Sequence, residues 1–448
     1  MNTLYTNSGI IGILFRYFSA YFLPLTKPTK LLLTWLIIGI LTLSSMPSIR
    51  YLYRHFLHRV YPKSLNCYYR ACATANIQYD RFLQVTVALA MSIIPSTLRN
   101  EAVFLCVDDT TVVKCGKKFD AVSILHDHAL HTGKPFVNGH CHVSLTLCVP
   151  VFDDVQGIPK ISYVSVPLGY KMWTEEKSKL VTAAEMIESV MPNLENRQVI
   201  VAFDSWYAKQ NLIQPLQRYS NIAMICNARH DTVMYELPPD RSGKRGRPPK
   251  HGDKLSCADF ELSSRHKKYK VGHRRVLTNI FGDTVVHAYV TETDSGSRRL
   301  FFCTANPTDI HMNFAWQADD NLHEVNSDNV AFCPLRLYAM RWNIETSYYE
   351  QKTFWGLCRY MVRRQAEIEN LLNLINTAHS AMKILPYQSE ALKEYRGRSA
   401  QEVRFAISEK IREQIFFVSL GETAQTDKNS NAIVTFLRRL MSQFCHAA

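Results

Sequence analysis

Four polar residues in the C-terminal third of the chain have types and spacing that could support chemistry: Tyr338, Arg341, Glu345 and Lys352. A carboxylate is an oxygen ligand of the kind that hard divalent cations prefer. Guanidinium and ammonium groups bind anions, the guanidinium through two parallel hydrogen bonds and the ammonium as a point charge. One interpretation of this stretch is therefore a site where Glu345 binds a metal cation, beside a site where Arg341 and Lys352 bind an anion.

The surrounding residues predict a helix, because apolar residues recur at a spacing of roughly three to four. They are Leu337, Met340, Ile344, Tyr348 and Trp355. At about 100° per residue, the four polar residues share one strip about 60° wide, beside the apolar stripe. An ordinary surface ion pair is the simpler alternative, since Arg341 and Glu345 are four residues apart. Periodicity alone leaves both interpretations open.

Two further acidic positions follow apolar runs that are typical of buried strands. Residues 102–107 precede Asp108 and Asp109, and residues 198–203 precede Asp204. Strand alternation sends neighbouring side chains to opposite faces, so only one of Asp108 and Asp109 can face a shared site. The residues alone do not decide which of the two it is.

The pattern Tyr-x2-Arg-x3-Glu-x6-Lys resembles the Tyr-Arg-Glu-Lys signature of the DDE-type insertion-sequence transposases. That resemblance implies an RNase H-like core with two more catalytic acids upstream. Asp204 matches the second acid, and Tyr207 matches the aromatic residue that usually follows it. The first acid should be followed shortly by Thr or Ser. Either Asp fits that pattern, and Asp109 is slightly preferred over Asp108.

The resemblance also implies the chemistry. Asp109 (or Asp108), Asp204 and Glu345 would ligate two Mg²⁺ ions, with Mn²⁺ as an alternative. The reaction would be cut-and-paste transposition, in which the transposon ends are cleaved and then joined to target DNA. Arg341, Lys352 and Tyr338 would contact phosphates near the scissile one, and the protein would work as a homodimer on double-stranded DNA.

Composition bounds these expectations. The 448 residues are 47% hydrophobic, which is enough for two or three domains. The net charge of +13 indicates a polyanionic partner, either nucleic acid or an anionic membrane surface. The 12 cysteines include no C-x2-C pair, so neither a zinc ribbon nor a disulfide framework is indicated, and reduced thiols in the cytoplasm are expected. With the resemblance, this predicts a bacterial, nucleoid-associated protein.

The first 98 residues predict helices punctuated by proline, with basic residues between the apolar ones. The resemblance favours a domain that binds transposon ends, although the same cations could simply be solvated. The apolar run at residues 31–41 is shorter than the roughly 20 residues of a membrane span. A buried core helix is expected there, and membrane anchoring by residues 1–60 is the alternative.

The expected fold class is α/β: an RNase H-like mixed sheet with flanking helices, interrupted by an all-β insertion and preceded by a helical domain. The predicted segments are residues 1–98 (helical), 99–229 (first part of the core), 230–330 (β-rich insertion), 331–385 (second part of the core) and 386–448 (a tail of unknown role).

A basic loop lies at the start of the insertion. Its Arg245-Gly-Arg247-Pro sequence resembles an AT-hook, which favours contact of Arg245, Arg247 and Lys250 with a DNA minor groove. A flexible linker is the alternative. The histidines between residues 126 and 142 match no defined zinc spacing, so no structural metal is expected.

Three other functions compete with the transposase hypothesis. One is a catalytically silent DNA-binding protein of the same descent, although all three acids are present. Another is a membrane-associated basic protein. The third is an RNase H-like nuclease that cuts DNA without joining it.

Overall fold

The computed structural model describes residues 9–44, 48–74, 77–116, 118–126, 133–155, 158–239, 249–266, 269–306 and 333–426, together with residues 310, 435 and 439. Within these residues, one mixed β-sheet is flanked by helices. The expected α/β class and RNase H-like architecture are confirmed. The division into domains stays a prediction.

The N-terminal region is helical, as predicted. Its elements are α1 (Gly9–Ser19), α2 (Lys27–Thr42), α3 (Ile49–Leu52), a π-helical turn (Tyr53–Leu57), α4 (His58–Val60), α5 (Leu65–Thr74) and α6 (Tyr79–Met91). The apolar run at residues 31–41 lies in α2 and is buried from Leu33 onward. Among the described residues, no helix has both the length and the apolar character needed to cross a membrane.

The central strands of the sheet lie between residues 103 and 228. They are β1 (Val103–Val113), β2 (Ser123–His126), β3 (Phe136–Val155), β4 (Ile158–Met172), β5 (Val199–Phe203) and β6 (Ile222–Ala228). Helix α7 (Lys179–Val190) connects β4 to β5, and α8 (Gln210–Leu216) connects β5 to β6. Strand β1 pairs antiparallel with β3 and parallel with β5, which in turn pairs parallel with β6. The carboxyl ends of β1 and β5 therefore lie at the same edge of the sheet.

The predicted β-rich insertion continues this sheet. It comprises β7 (Met234–Tyr235), β8 (Lys254–Leu255), β9 (Ser264–His266), β10 (Tyr269–Thr278), β11 (Gly282–Glu292) and β12 (Arg298–Cys303). Strand β12 pairs antiparallel with β6, so the strand order is β2-β3-β1-β5-β6-β12-β11-β10-β7-β8, with β4 beside β3 and β9 beside β10.

The C-terminal helices are α9 (Cys333–Ala339), α10 (Trp342–Phe354), α11 (Gln365–Gln388) and α12 (Ala400–Thr426), with a 3₁₀ helix at Glu390–Tyr395. Sequence analysis found no packing pattern after residue 386. In the structure, α12 lies against α1, α2 and α11, and its buried side chains include Val403, Ile407 and Ile411. One continuous apolar core therefore joins the N-terminal helices, the sheet and the C-terminal helices.

Candidate active site

Asp108 lies inside β1, because β1 does not end at residue 107 as the apolar run suggested. The parallel pairing with β5 stops at Cys106, but the 20-residue β3 continues to pair with β1 as far as Val113. Asp108 is therefore held by one neighbouring strand, just beyond the point where β5 ends. Its own Oδ1 accepts a hydrogen bond from the backbone N–H of Asp109 at 2.8 Å.

Asp204 follows β5 directly and begins a tight turn. Its Oδ1 accepts hydrogen bonds from the backbone N–H groups of Trp206 (2.9 Å) and Tyr207 (3.2 Å). Local side-chain to backbone bonds of this kind fix an Asp at the end of a strand. Asp204 is thus positioned by its own turn.

The single helix predicted across residues 338–355 is wrong. Helix α9 ends at Ala339, and α10 begins at Trp342. Between them, Arg341 N–H bonds to the carbonyl of Tyr338 and Ile344 N–H bonds to that of Arg341, both with three-residue spacing. Tyr338 therefore belongs to a different helix from Glu345, so the step of about 100° per residue does not run unbroken between them.

The polar residues nevertheless meet. Nη1 of Arg341 lies 2.9 Å from Oδ2 of Asp108 and 3.3 Å from Oε1 of Glu345. Burial raises the pKa of the Asp108 carboxyl well above its usual value, and the charges of Asp204 and Glu345 raise it further, against the opposing effect of Arg341. The structure therefore brings Asp108, Asp204 and Glu345 together around one guanidinium.

Asp109 has a different environment. Its Oδ2 lies 2.9 Å from Nζ of Lys179 and accepts a hydrogen bond from the Cys141 thiol at 3.0 Å. Its Oδ1 accepts a hydrogen bond from the Tyr207 hydroxyl at 3.0 Å. The geometry thus favours Asp108 over Asp109 as the partner of Asp204 and Glu345, which reverses the preference drawn from sequence. Alternation along β1 is the physical reason.

The remaining signature residues border this cluster. The Tyr338 ring lies 5.8 Å from the Arg341 guanidinium carbon and packs edge-on against Phe301. Lys352 donates a hydrogen bond from Nζ to the carbonyl of Thr111 on β1 at 3.2 Å. Tyr338 therefore lies beside Arg341, and Lys352 lies beside β1. Within the described residues, Lys352 forms no ion pair with the three acids.

The donor set suits a hard divalent cation, since it consists of carboxylate oxygens. Within the part of the chain that the structure describes, however, no three His, Cys, Asp or Glu residues form a group that could hold a metal ion as arranged. The guanidinium of Arg341 takes the place that a metal ion would need, because its Nη1 lies between the carboxylates of Asp108 and Glu345. A divalent cation in that position would offset the burial and the charge repulsion that together raise the pKa of Asp108.

Other predicted residues lie away from this cluster or outside the described residues. Lys250 is exposed, whereas Arg245 and Arg247 lie outside the residues that the structure describes. Among the histidines, His128 and His131 are also outside them. His140 is buried, and its Nδ1 and Nε2 lie 2.6 Å from the Tyr360 hydroxyl and 2.9 Å from the carbonyl of Asp120.

Sequence reasoning missed Lys179, which contacts Asp109, and Lys209, which lies over the ring of Trp206, two residues beyond Asp204. Lys179 is the first residue of α7, and Lys209 precedes α8. Neither lysine belongs to a spaced motif. Lys179 is identified only by its contact with Asp109 in the folded structure.

A comparison with protein families matches residues 33–275 to the model of the DDE superfamily endonucleases. The chain belongs to this family. The match contains Asp108, Asp109 and Asp204 and ends before the residues of the Tyr-Arg-Glu-Lys pattern. The DDE endonuclease family implies nuclease-type phosphoryl transfer on DNA, and its members usually use divalent metals. No curated protein matches the chain.

Proposed function

We propose that this DDE endonuclease is a transposase that cleaves DNA at transposon ends and joins those ends to target DNA. The observation that carries the proposal is the convergence of Asp108, Asp204 and Glu345 from β1, the end of β5 and α10 around Arg341. Family membership supports DNA as the substrate. The Tyr-Arg-Glu-Lys pattern supports transposition in particular.

In this proposal, Asp108, Asp204 and Glu345 are the metal ligands, and Asp109 is a positioning residue. Bound Mg²⁺ or Mn²⁺ ions would activate a water or a DNA 3′-hydroxyl and stabilise the leaving oxygen. Asp204 already uses Oδ1 for its turn, which leaves Oδ2 for a cation. Asp108 likewise uses Oδ1 for a backbone N–H and presents Oδ2 to the site.

Arg341 and Lys352 supply positive charge for the DNA backbone. The side chain of Arg341 is only 12% exposed, so its charge acts with little screening by water. It balances the carboxylates in the free protein, and its remaining nitrogens can bind a phosphate bidentately. Lys352, next to β1, would bind a neighbouring phosphate, and Tyr338 would donate to a phosphate oxygen.

Contacts farther from the acids would bind the rest of the DNA. We assign Arg245, Arg247 and Lys250 to a basic loop that contacts the minor groove, and the N-terminal helices to recognition of the transposon ends. A homodimer on DNA would bring two ends together. The net charge of +13 supports a polyanionic partner of this size.

The test is the substitution Glu345→Gln, which keeps the size of the side chain and removes its charge. Losing several kcal/mol of transition-state stabilisation lowers the rate at least about 100-fold, because each 1.36 kcal/mol is a factor of ten. Cleavage of an end-bearing duplex in Mg²⁺ should fall by that amount while DNA binding survives. Glu390→Gln, at an exposed glutamate paired with Lys393, is the matched control. Retained cleavage in Glu345→Gln would remove Glu345 from the active site.

An endonuclease that cuts without joining is the second candidate, and the family description supports it. A strand-transfer assay with pre-cleaved ends and a plasmid target separates the two functions. Joined products support the transposase, whereas cleavage of intact ends without joining supports the nuclease.

A further inference from the structure

Beside the acidic cluster, an exposed tryptophan lies next to two lysines. Trp206 is 39% exposed, and its ring centroid lies 4.8 Å from Nζ of Lys179 and 4.4 Å from Nζ of Lys209. These three residues, called here the tryptophan platform, come from the first turn of α7 and from the loop that precedes α8. The proposed catalytic residues do not include them.

The platform has a fixed position relative to Asp204. The backbone N–H of Trp206 donates to Oδ1 of Asp204, and the Trp206 ring packs edge-on against the buried Tyr207 with centroids 5.0 Å apart. On the other side, Asp109 holds Lys179 and accepts from the Tyr207 hydroxyl. Asp109 therefore fixes both the lysine and the residue that follows Trp206.

The charge of the platform is positive. Asp109 balances Lys179, but Lys209 is exposed and has no carboxylate partner in the described part of the chain. Helix α7 begins at Lys179, and its 12 residues add the partial positive charge of a helix N-terminus. An anion near Trp206 would therefore meet attraction from two directions.

An exposed aromatic ring beside lysines is an arrangement by which proteins bind unpaired nucleotides, since the ring stacks on a base and the cations contact the adjoining phosphates. We infer that Trp206, Lys179 and Lys209 bind an unpaired nucleotide of the DNA strand next to the cleavage point. This inference rests on the proposed function and specifies the form of DNA that the site accepts.

Binding should be measured in Ca²⁺, by fluorescence anisotropy, on two DNAs: a blunt duplex end and the same duplex with a short single-stranded thymidine extension. Trp206→Ala should weaken binding of the extended DNA about 10-fold or more, because stacking contributes roughly 1–3 kcal/mol per base. Binding of the blunt duplex should not change. Trp206→Phe keeps an aromatic face and should restore most of the affinity for the extension.

Lys209→Gln tests the phosphate contact separately. On single strands, each phosphate contact contributes about 0.7 to the slope of log K against log salt concentration. The slope for the extended DNA should therefore decrease by about 0.7. Lys410→Gln is the matched control, since Lys410 also lies over an aromatic ring, that of Tyr395, and its side chain is 40% exposed on α12, which has no proposed DNA contact.

Two results would overturn the inference: unchanged binding of both DNAs by Trp206→Ala, or an equal loss on both. Substitution of the Trp206 side chain leaves the backbone bond to Asp204 in place, and circular dichroism verifies the fold. Cleavage by the wild-type protein in Mg²⁺ tests the proposed function independently. If Trp206→Ala weakens binding of the extended DNA alone but the wild-type protein does not cleave DNA, the inference about the platform stands and the transposase proposal is rejected.

Discussion

At the scale of single residues, Asp108 and Asp109 are neighbours with opposite surroundings. Asp108 faces two other carboxylates and one arginine, whereas Asp109 faces a lysine, a thiol and a phenol. Three carboxylates around a single guanidinium still repel one another, and burial strengthens that repulsion. Of these two neighbours, Asp108 therefore has the surroundings that favour binding of a divalent cation.

The substitutions Asp108→Asn and Asp109→Asn should have different effects. Asp108→Asn removes a proposed metal ligand and should lower Mg²⁺-dependent cleavage at least about 100-fold. Asp109→Asn should lower cleavage less but destabilise the protein by about 1–3 kcal/mol, because Lys179 loses its charged partner. Cleavage assays and urea denaturation measure the two effects. Equal loss of cleavage with unchanged stability would return Asp109 to the metal site.

The raised pKa of Asp108 makes the stability of the fold depend on pH. Since the folded pKa of Asp108 is raised, ionisation of this group costs stability as pH rises from the unfolded value of about 3.9 through the folded value. Without metal, Asp108→Asn should therefore melt at a higher temperature than the wild type at pH 7, and the difference should vanish near pH 4. A lower melting temperature at pH 7 would contradict this environment for Asp108.

At the scale of elements, the C-terminal half of helix α10 is held by side chains of α11 and α12. Glu350 lies 2.7 Å from Nε2 of the buried His379 and 3.5 Å from Nζ of Lys383. At the end of α10, the buried guanidinium of Arg404 donates to the carbonyls of Phe354 (2.8 Å), Ile40 (2.8 Å) and Leu43. The helix that bears Glu345 is therefore fixed by buried polar contacts.

Arg404→Met should be strongly destabilising. It leaves three carbonyls without their donor, and losing hydrogen bonds to a charged group costs about 1.5–3 kcal/mol each before relaxation. We expect a loss of at least about 3 kcal/mol in the free energy of unfolding, measured by urea denaturation. Arg398→Met, which removes an exposed partner of Glu402, should change it by less than about 0.5 kcal/mol.

These elements also show what sequence can predict. Strands β1 and β5 were predicted because buried strands require uninterrupted apolar runs, and the acids at residues 108, 109 and 204 follow those runs. The break between α9 and α10 was not predicted, since no glycine or proline marks it and hydrogen bonds to Tyr338 and Arg341 produce it. The choice of Asp108 over Asp109 depends on which face of β1 meets α10, a tertiary property.

At the scale of the whole molecule, the N-terminal helices share their core with the C-terminal ones. Helix α2 packs against α11 and α12, and α1 packs against α12. The predicted boundary at residue 98 is therefore crossed by many buried contacts. The N-terminal helices and the catalytic sheet are expected to unfold together.

Deletion of residues 1–98 tests this expectation. The remaining chain would expose the apolar faces of α11 and α12, including Ile407 and Ile411, and should aggregate or lose cooperative unfolding. Size-exclusion chromatography and thermal unfolding monitored by two probes provide the measurement. A monodisperse fragment with a cooperative transition would instead show an independent N-terminal domain at residue 98.

The guanidinium of Arg404 has a consequence beyond stability. The same planar group bonds to the end of α2 and to the last residue of α10, so the two helices cannot separate without breaking those bonds. If binding of a partner displaced the N-terminal helices, helix α10, which carries Glu345, would therefore be displaced as well. Arg404 thereby links the helices that we propose to bind DNA to the helix that bears Glu345.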